Sequence, residues 1–278
     1  MRFQNLESFL EGMDSRELAK EVRMDCLRMV HAGGSSHIGS ALSCVDILAV
    51  LYGDVMNYRS NHPGWEGRDR FVLSKGHAGV AVYAVLAEVG FFPKKELLSH
   101  YKDGSIFSGH VSHKGIPGVE LSTGSLGHGL PVAVGMALAA KLDQRENRVF
   151  VLIGDGELME GSNWEAALLS AHQKLDNLVL VIDRNNLQSI DTTEATVALE
   201  SIERKFRAFN WDVVEVDGHC HESLARIFNA SNNEAPLLVI ANTIKGKGVS
   251  FMENNVAWHY KCPDDDLLKQ ALAELGCR

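Results

Sequence analysis

Four apolar runs, at 149–153, 178–182, 212–216 and 237–241, recur along the second half of the chain, separated by stretches long enough for one helix each. Runs that are apolar throughout, as at 149–153, 178–182 and 237–241, belong to strands buried on both faces. Strand and helix in strict alternation require right-handed crossovers, which predicts an α/β fold: a doubly wound parallel sheet with helices on both faces. A shorter run, Phe71-Val72-Leu73, reads as a further buried strand feeding a helix over 80–89.

The first part of the chain follows helical spacing instead. Asp14 and Glu17 form a capping box for a helix over 14–30, in which Leu18, Val22, Cys26 and Met29 share one face and Gly33-Gly34 end the run. The pair Ser43 and Asp46 predicts a second capped helix running through 47–51. The segment 131–140 is apolar all round and rich in small residues (Ala133, Gly135, Ala137, Ala139, Ala140), predicting a buried helix with close neighbours, either in the core or at a subunit interface. A last helix is expected over 265–275. No linker or repeat interrupts the pattern, so residues 1–278 read as a single domain with a helical N-terminal part.

Composition narrows the partners. At 278 residues and 45% hydrophobic, the chain can bury one good core, and two full domains would be cramped. Twenty-seven basic against 36 acidic side chains leave a formal charge of −9, which argues against a nucleic-acid or anionic-membrane surface. Cys26, Cys44, Cys220, Cys262 and Cys277 are an odd set without C-x-x-C spacing, so neither a disulfide framework nor a zinc knuckle is indicated. The polar start of the chain has no signal-peptide core, and no run is long enough to span a bilayer, so a soluble cytoplasmic protein is expected.

The candidate chemistry sits at the strand ends. Asp155 follows the run at 149–153, and Asn185 follows the run at 178–182, so adjacent strand tips present a carboxylate and an amide to one point. Mg²⁺ takes such hard oxygen ligands and fills its other positions with water and phosphate oxygens. The crevice outside the carboxyl ends of a parallel sheet is the usual ligand site, and Gly154 and Gly156 leave room there for an anion. Taken alone, Gly154-Asp155-Gly156 also suits an ordinary tight turn. The helix after it is expected to be capped by Ser162 or Asn163 and to offer free N–H groups to an anion. Ile244-Lys245-Gly246-Lys247-Gly248 follows the last strand, either as a phosphate contact or as a solvated basic turn.

Histidines recur in glycine-rich settings, at His37, His77, His110 and His128, with His259 after Trp258. Several imidazoles in loops suit hydrogen bonding to sugar or phosphate oxygens and proton transfer near neutral pH. His219 and His221 read as surface loop residues. There is no Walker motif and no complete G-x-G-x-x-G, which disfavours a nucleotide fold.

These motifs carry a resemblance. Gly154-Asp155-Gly156 through Asn185-Asn186 resembles the thiamin diphosphate motif. The stretches 68–77 and 117–127, with Trp258-His259, resemble the transketolases, specifically their amino-terminal, diphosphate-binding domain, over about residue 15 to the end. The resemblance implies thiamin diphosphate and Mg²⁺ as cofactors, with Ca²⁺ or Mn²⁺ able to substitute. It implies Asp155, Asn185 and the Leu187 carbonyl as metal ligands, His77, Gly156 and Lys245 on the diphosphate, and Gly124 and Leu126 along the cofactor. It also implies His37, His110 and His259 facing the sugar and Glu160 toward the partner domain at the cofactor site. The chain departs from the family at Ile38, where a proline is usual, at Val111, likewise, and at His128, where glutamine is common.

The family's pyrimidine-binding domain, with the glutamate that activates the cofactor, has no counterpart among the predicted strands. The expectation is a two-polypeptide transketolase moving a two-carbon ketol unit from a ketose phosphate to an aldose. Its companion would be a C-terminal, pyrimidine-binding subunit, in a heterotetramer on a homodimeric core. The alternatives are a component of another thiamin diphosphate enzyme, deoxyxylulose-phosphate synthase-like or oxo-acid dehydrogenase alpha-like, or a non-catalytic cofactor-binding remnant.

Overall fold

The computed structural model describes residues 13–230 and 234–276; Cys277 and most of the polar N-terminal stretch lie outside them. Five strands form one parallel sheet: β1 (Arg70–Leu73), β2 (Val149–Gly154), β3 (Leu178–Arg184), β4 (Asp212–Asp217) and β5 (Leu237–Asn242), in the order β1-β2-β3-β5-β4. The helices are α1 (Ser15–Gly33), α2 (Ile38–Ser43), α3 (Val45–Val50), α4 (Gly79–Glu88), α5 (Gly129–Leu142), α6 (Gly161–His172), α7 (Thr193–Thr196), α8 (Ile202–Ala208), α9 (His221–Phe228) and α10 (Asp265–Glu274).

The two-residue period of each strand divides the sheet between two cores. Phe150, Leu152, Val179, Val181, Leu237 and Val239 pack with α1, α2, α3, α4 and α9. Their neighbours Val149, Val151, Ile153, Leu178, Leu180, Ile182, Leu238 and Ile240 pack with α5, α6 and α8 on the other face. The doubly wound arrangement expected from the apolar runs is therefore present. No described helix is long and apolar enough to cross a membrane.

The N-terminal helix starts as expected, with the Asp14 carboxylate accepting the N–H groups of Arg16 and Glu17 at 2.8 and 2.9 Å. It ends where Gly34 takes φ of 59°, the left-handed turn that glycine adopts without steric cost. Three expectations fail, and a fourth is narrowed. The second helix begins at Ile38 and breaks at Cys44, so Ser43 and Asp46 cap nothing. The Ser43 hydroxyl bonds to Ser40 O and Asp183, while the buried Asp46 carboxylate holds the Arg23 guanidinium at 2.9 and 2.5 Å. Nor do Ser162 and Asn163 cap α6, which starts at Gly161: Ser162 donates to Gly127 O and Asn163 to Glu157 O. The helix α5, for which the sequence leaves a core and an interface role both open, is buried on one side, with Val132, Gly135 and Ala139 exposed, which disfavours the core role alone. His219 and His221 are not surface loop residues, since both reach Asp46, at 2.6 and 3.0 Å, and His221 is buried at the start of α9.

Candidate active site

One cleft lies beyond the carboxyl ends of β1, β2, β3 and β5, where a parallel sheet places its ligands. Its walls include Lys75 and His77 after β1, Gly154 to Glu157 at the tip of β2, Asn185 and Leu187 after β3, and Lys245 after β5. The residues that the resemblance assigns to metal, cofactor or sugar come together here, with Glu160 as the exception. It is exposed at the start of α6 and does not line the cleft. His37, His77, His110, Gly124, Leu126, Asp155, Gly156, Asn185, Leu187, Lys245 and His259 all do.

The oxygen donors are held in place by their neighbours. Asp155 Oδ1 accepts the Gly156 N–H and Oδ2 the Asn186 N–H, each at 2.7 Å, and Arg184 also reaches Oδ2 at 3.3 Å. The Asn185 amide is oriented by Asp183, because its Nδ2 can only donate, here to Asp183 Oδ2 at 3.3 Å; its Oδ1 accepts the Leu187 N–H at 3.1 Å. One carboxylate, one amide oxygen and the Leu187 carbonyl thus border a common space. Where a Cβ on Gly154 would stand there is no other atom within 4 Å, so the tip of β2 stays open. Burial and the nearby Asp183 charge raise the pKa of Asp155, as happens when two carboxylates crowd one region without full compensation. This all-oxygen set fits a hard divalent cation better than zinc.

Two buried lysines face the same space. Lys75 is ion-paired with Asp183 and donates to Ser40 O at 2.9 Å. Among the described residues, the hydrogen-bond partners of Lys245 are the Leu187 and Gln188 carbonyls, at 3.4 and 3.1 Å, and His259 Nδ1 at 3.0 Å. None of these carries a negative charge, and burial together with Lys75 pushes the Lys245 pKa down to about 8. An ammonium buried without a neutralising partner is a ready contact for an anionic group.

The histidines form a cluster above the lysines. The His37 ring lies 5.3, 5.6 and 5.0 Å, centroid to centroid, from those of His77, His110 and His259. The His37 N–H donates to His259 O at 2.8 Å, tying α2 to the turn after Trp258. Burial, then neighbouring imidazole and lysine charge, lowers His37 to about 4 and His259 to about 3; burial lowers His77 as well. These three rings are uncharged at neutral pH. Since Lys245 donates to His259 Nδ1, the proton of that ring sits on Nε2, available to a ligand.

The direction of these shifts fixes the sign of a pH effect. An imidazole whose folded pKa lies below its unfolded value of 6.5 stabilises the fold above pH 6.5, and this contribution is lost as the pH falls toward 4. Thermal scans of the cofactor-free protein should show the melting temperature falling between pH 6.5 and 4, with a shallower fall in a His37→Gln, His259→Asn double variant. An equal slope in the two proteins would contradict it.

Several lining residues carry roles that periodicity does not reveal. Lys75, Glu157, Gln188 and Tyr260 all border the cleft. Glu157 is buried, accepts from Ser74 and from the N–H groups of Gly127 and Gly154 at 2.9 and 3.2 Å, and so ties three loops together. Lys75 has a signal in its position, two residues past the first strand, as Asp155 has past the second.

The sheet and its cleft define an α/β protein with oxygen donors and buried lysines gathered at its strand tips. Comparison narrows the class. Residues 14–278 match the family model described as transketolase, thiamine diphosphate binding domain. The chain is 43% identical to one of the subunits of an apulose-4-phosphate transketolase from Phocaeicola vulgatus, over 96% of this chain and 95% of that protein. It is 39% identical to a 6-deoxy-6-sulfo-D-fructose transketolase subunit of a Clostridium species, over 95% and 97% of the two chains. The crystal structure of the Campylobacter jejuni transketolase superposes with a TM-score of 0.88 at 31% identity, covering 94% of this chain but 42% of that one. The chain belongs to the transketolase family, as its thiamin diphosphate-binding domain.

Proposed function

We propose that this chain is the diphosphate-binding subunit of a two-polypeptide transketolase, transferring a two-carbon ketol unit from a ketose phosphate to an aldose. One observation carries the reading: Asp155, Asn185 and Leu187 border the same cleft as Lys245, which has no ion-pair partner among the described residues, and as the uncharged rings of His37, His77 and His259. The residues 1–278 act as one binding unit, and two relatives of nearly equal length bear the name of transketolase subunits. The full-length structure is more than twice as long, consistent with a companion that carries the pyrimidine-binding half. The exposed Val132, Gly135 and Ala139 on α5 supply a small, apolar surface suited to a homodimeric core, and two companions would complete a heterotetramer. Cys26, Cys44, Cys220 and Cys262 are free thiols, in keeping with a cytoplasmic location.

In this reading Asp155, Asn185 and Leu187 O hold Mg²⁺, for which Ca²⁺ or Mn²⁺ can substitute. Lys245, His77 and Gly156 contact the diphosphate, Gly124 and Leu126 flank the cofactor, and Glu160 meets the companion. Thiamin diphosphate, when bound, supplies an electron sink for cleavage beside a ketose carbonyl. The remaining work is done by the imidazoles: His37, His110 and His259 hydrogen-bond the sugar hydroxyls, and the uncharged rings of His37 and His259 can both give and accept a proton.

The variant His259→Asn tests this assignment, because its amide oxygen can still accept from Lys245 while the Nε2–H is lost. Turnover of the complex with its companion should fall by about 100-fold or more, with the cofactor dissociation constant within about threefold of wild type. Coupled assays and calorimetric titration measure the two; undiminished turnover would remove His259 from the reaction.

A further inference from the structure

The loop carrying Lys245 is fixed from behind by buried charges that take no part in the cleft. Asp46, on α3, accepts from both Arg23 terminal nitrogens and from His219 Nδ1 and His221 Nε2. Two of these donors extend to the loop. The Ile244 N–H donates to His219 Nε2 at 2.9 Å, and Arg23 Nε donates to Lys247 O at 3.1 Å. A backbone N–H can only donate, so Nε2 is the acceptor and Nδ1 carries the proton given to Asp46. The turn bearing His219 is itself pressed onto the loop. A Cβ on Gly218 would stand 2.4 Å from Thr243 Cγ2, and the Gly218 N–H bonds to Asn242 O at 2.8 Å.

Lys245 lies between the two anchored positions, Ile244 and Lys247. Its side chain has four rotatable bonds, so where its ammonium stands depends on where the backbone is held. We infer that His219 is a positioning residue for the diphosphate site: with Arg23, it links the fixed carboxylate of Asp46 to the loop that aims Lys245 into the cleft. Pre-positioning of this kind removes an ordering cost from ligand binding rather than adding a contact. The inference rests on the reading that Lys245 meets the cofactor's diphosphate.

Two substitutions separate the halves of the link. In His219→Asn the amide nitrogen can still donate to Asp46, but the Ile244 N–H loses its acceptor. In His219→Gln the amide oxygen reaches the Nε2 position and accepts from Ile244. In calorimetric titrations of the complex with its companion in Mg²⁺, His219→Asn should weaken thiamin diphosphate binding by about tenfold. His219→Gln, which keeps the Ile244 acceptor but gives up the donor to Asp46, should fall between that variant and wild type. Neither should change binding of thiamin, which lacks the diphosphate, and turnover at saturating cofactor should be preserved. A His219→Asn affinity equal to wild type, or an equal loss for thiamin and thiamin diphosphate, would overturn the inference while leaving the proposed function standing. Absence of thiamin diphosphate binding by the wild type would sink both. If His219→Asn does not fold, hydrogen exchange in the wild type decides: the Ile244 amide should be protected before cofactor is added, and rapid exchange there would overturn the role.

Discussion

Replacing Asp155 by alanine is expected to weaken thiamin diphosphate binding by more than about 100-fold in the presence of Mg²⁺, since loss of even an outer-shell partner of a metal costs tenfold or more. Asp155 is the carboxylate of the proposed oxygen set, and an amide and a carbonyl cannot replace its charge at a divalent ion. The fold should survive the change. The Arg184 guanidinium that meets Asp155 also holds Thr193 at 2.6 Å, Glu194 at 3.2 Å and Glu200 at 2.8 Å, so it is not left unpaired. Equilibrium dialysis of the complex, with and without Mg²⁺, measures the effect. Wild-type affinity in the variant would mean that the β2 tip does not anchor the cofactor.

The second large effect concerns stability. Lys75 and Asp183 are buried against each other at the tips of β1 and β3. Burial opposes the Lys75 charge, but the carboxylate outweighs it and the lysine pKa is raised; burial likewise opposes the Asp183 charge, and Lys75 outweighs it in turn. Lys75→Met would leave Asp183 as an isolated buried charge, at a cost of about 3–5 kcal/mol. Ser43, Thr243 and Asn185 would still hydrogen-bond that carboxylate but could not neutralise it. Adding Asp183→Asn removes the stranded charge, so the double variant should be more stable than Lys75→Met alone. Urea unfolding of the three proteins gives the comparison, and a double variant weaker than the single one would show that the pair acts chiefly through other contacts.

The sheet is legible in the sequence because β2, β3 and β5 are buried on both faces, which leaves long apolar runs that no helix face mimics. The first helix is legible because Asp14 does what local chemistry suggests. Asp46 misleads for the same kind of reason. Ser43-x-x-Asp46 has the spacing of a cap, yet Asp46 is claimed by Arg23, His219 and His221, the latter two from more than 170 positions away. Sequence spacing carries no record of such partners. His219 and His221 look solvated for want of that partner, and α5 looks buried all round because small apolar residues are alike in a core and on an uncovered face. The cleft itself is largely readable from Asp155, Asn185 and Lys245, because each follows a strand by one to three residues and parallel strands end together. Glu157 is not, since its role depends on loops that meet only in the folded chain; Lys75, two residues past β1, is legible by position but not by its partner Asp183.

The most direct test combines the chain with a companion bearing the pyrimidine-binding domain and follows transfer of a two-carbon unit from a ketose phosphate to an aldose. Product is expected only when both polypeptides, thiamin diphosphate and Mg²⁺ are present, with loss of product on omission of any one. Full transfer by this chain without the companion, or none from the complete mixture with cofactor demonstrably bound, would contradict the assignment.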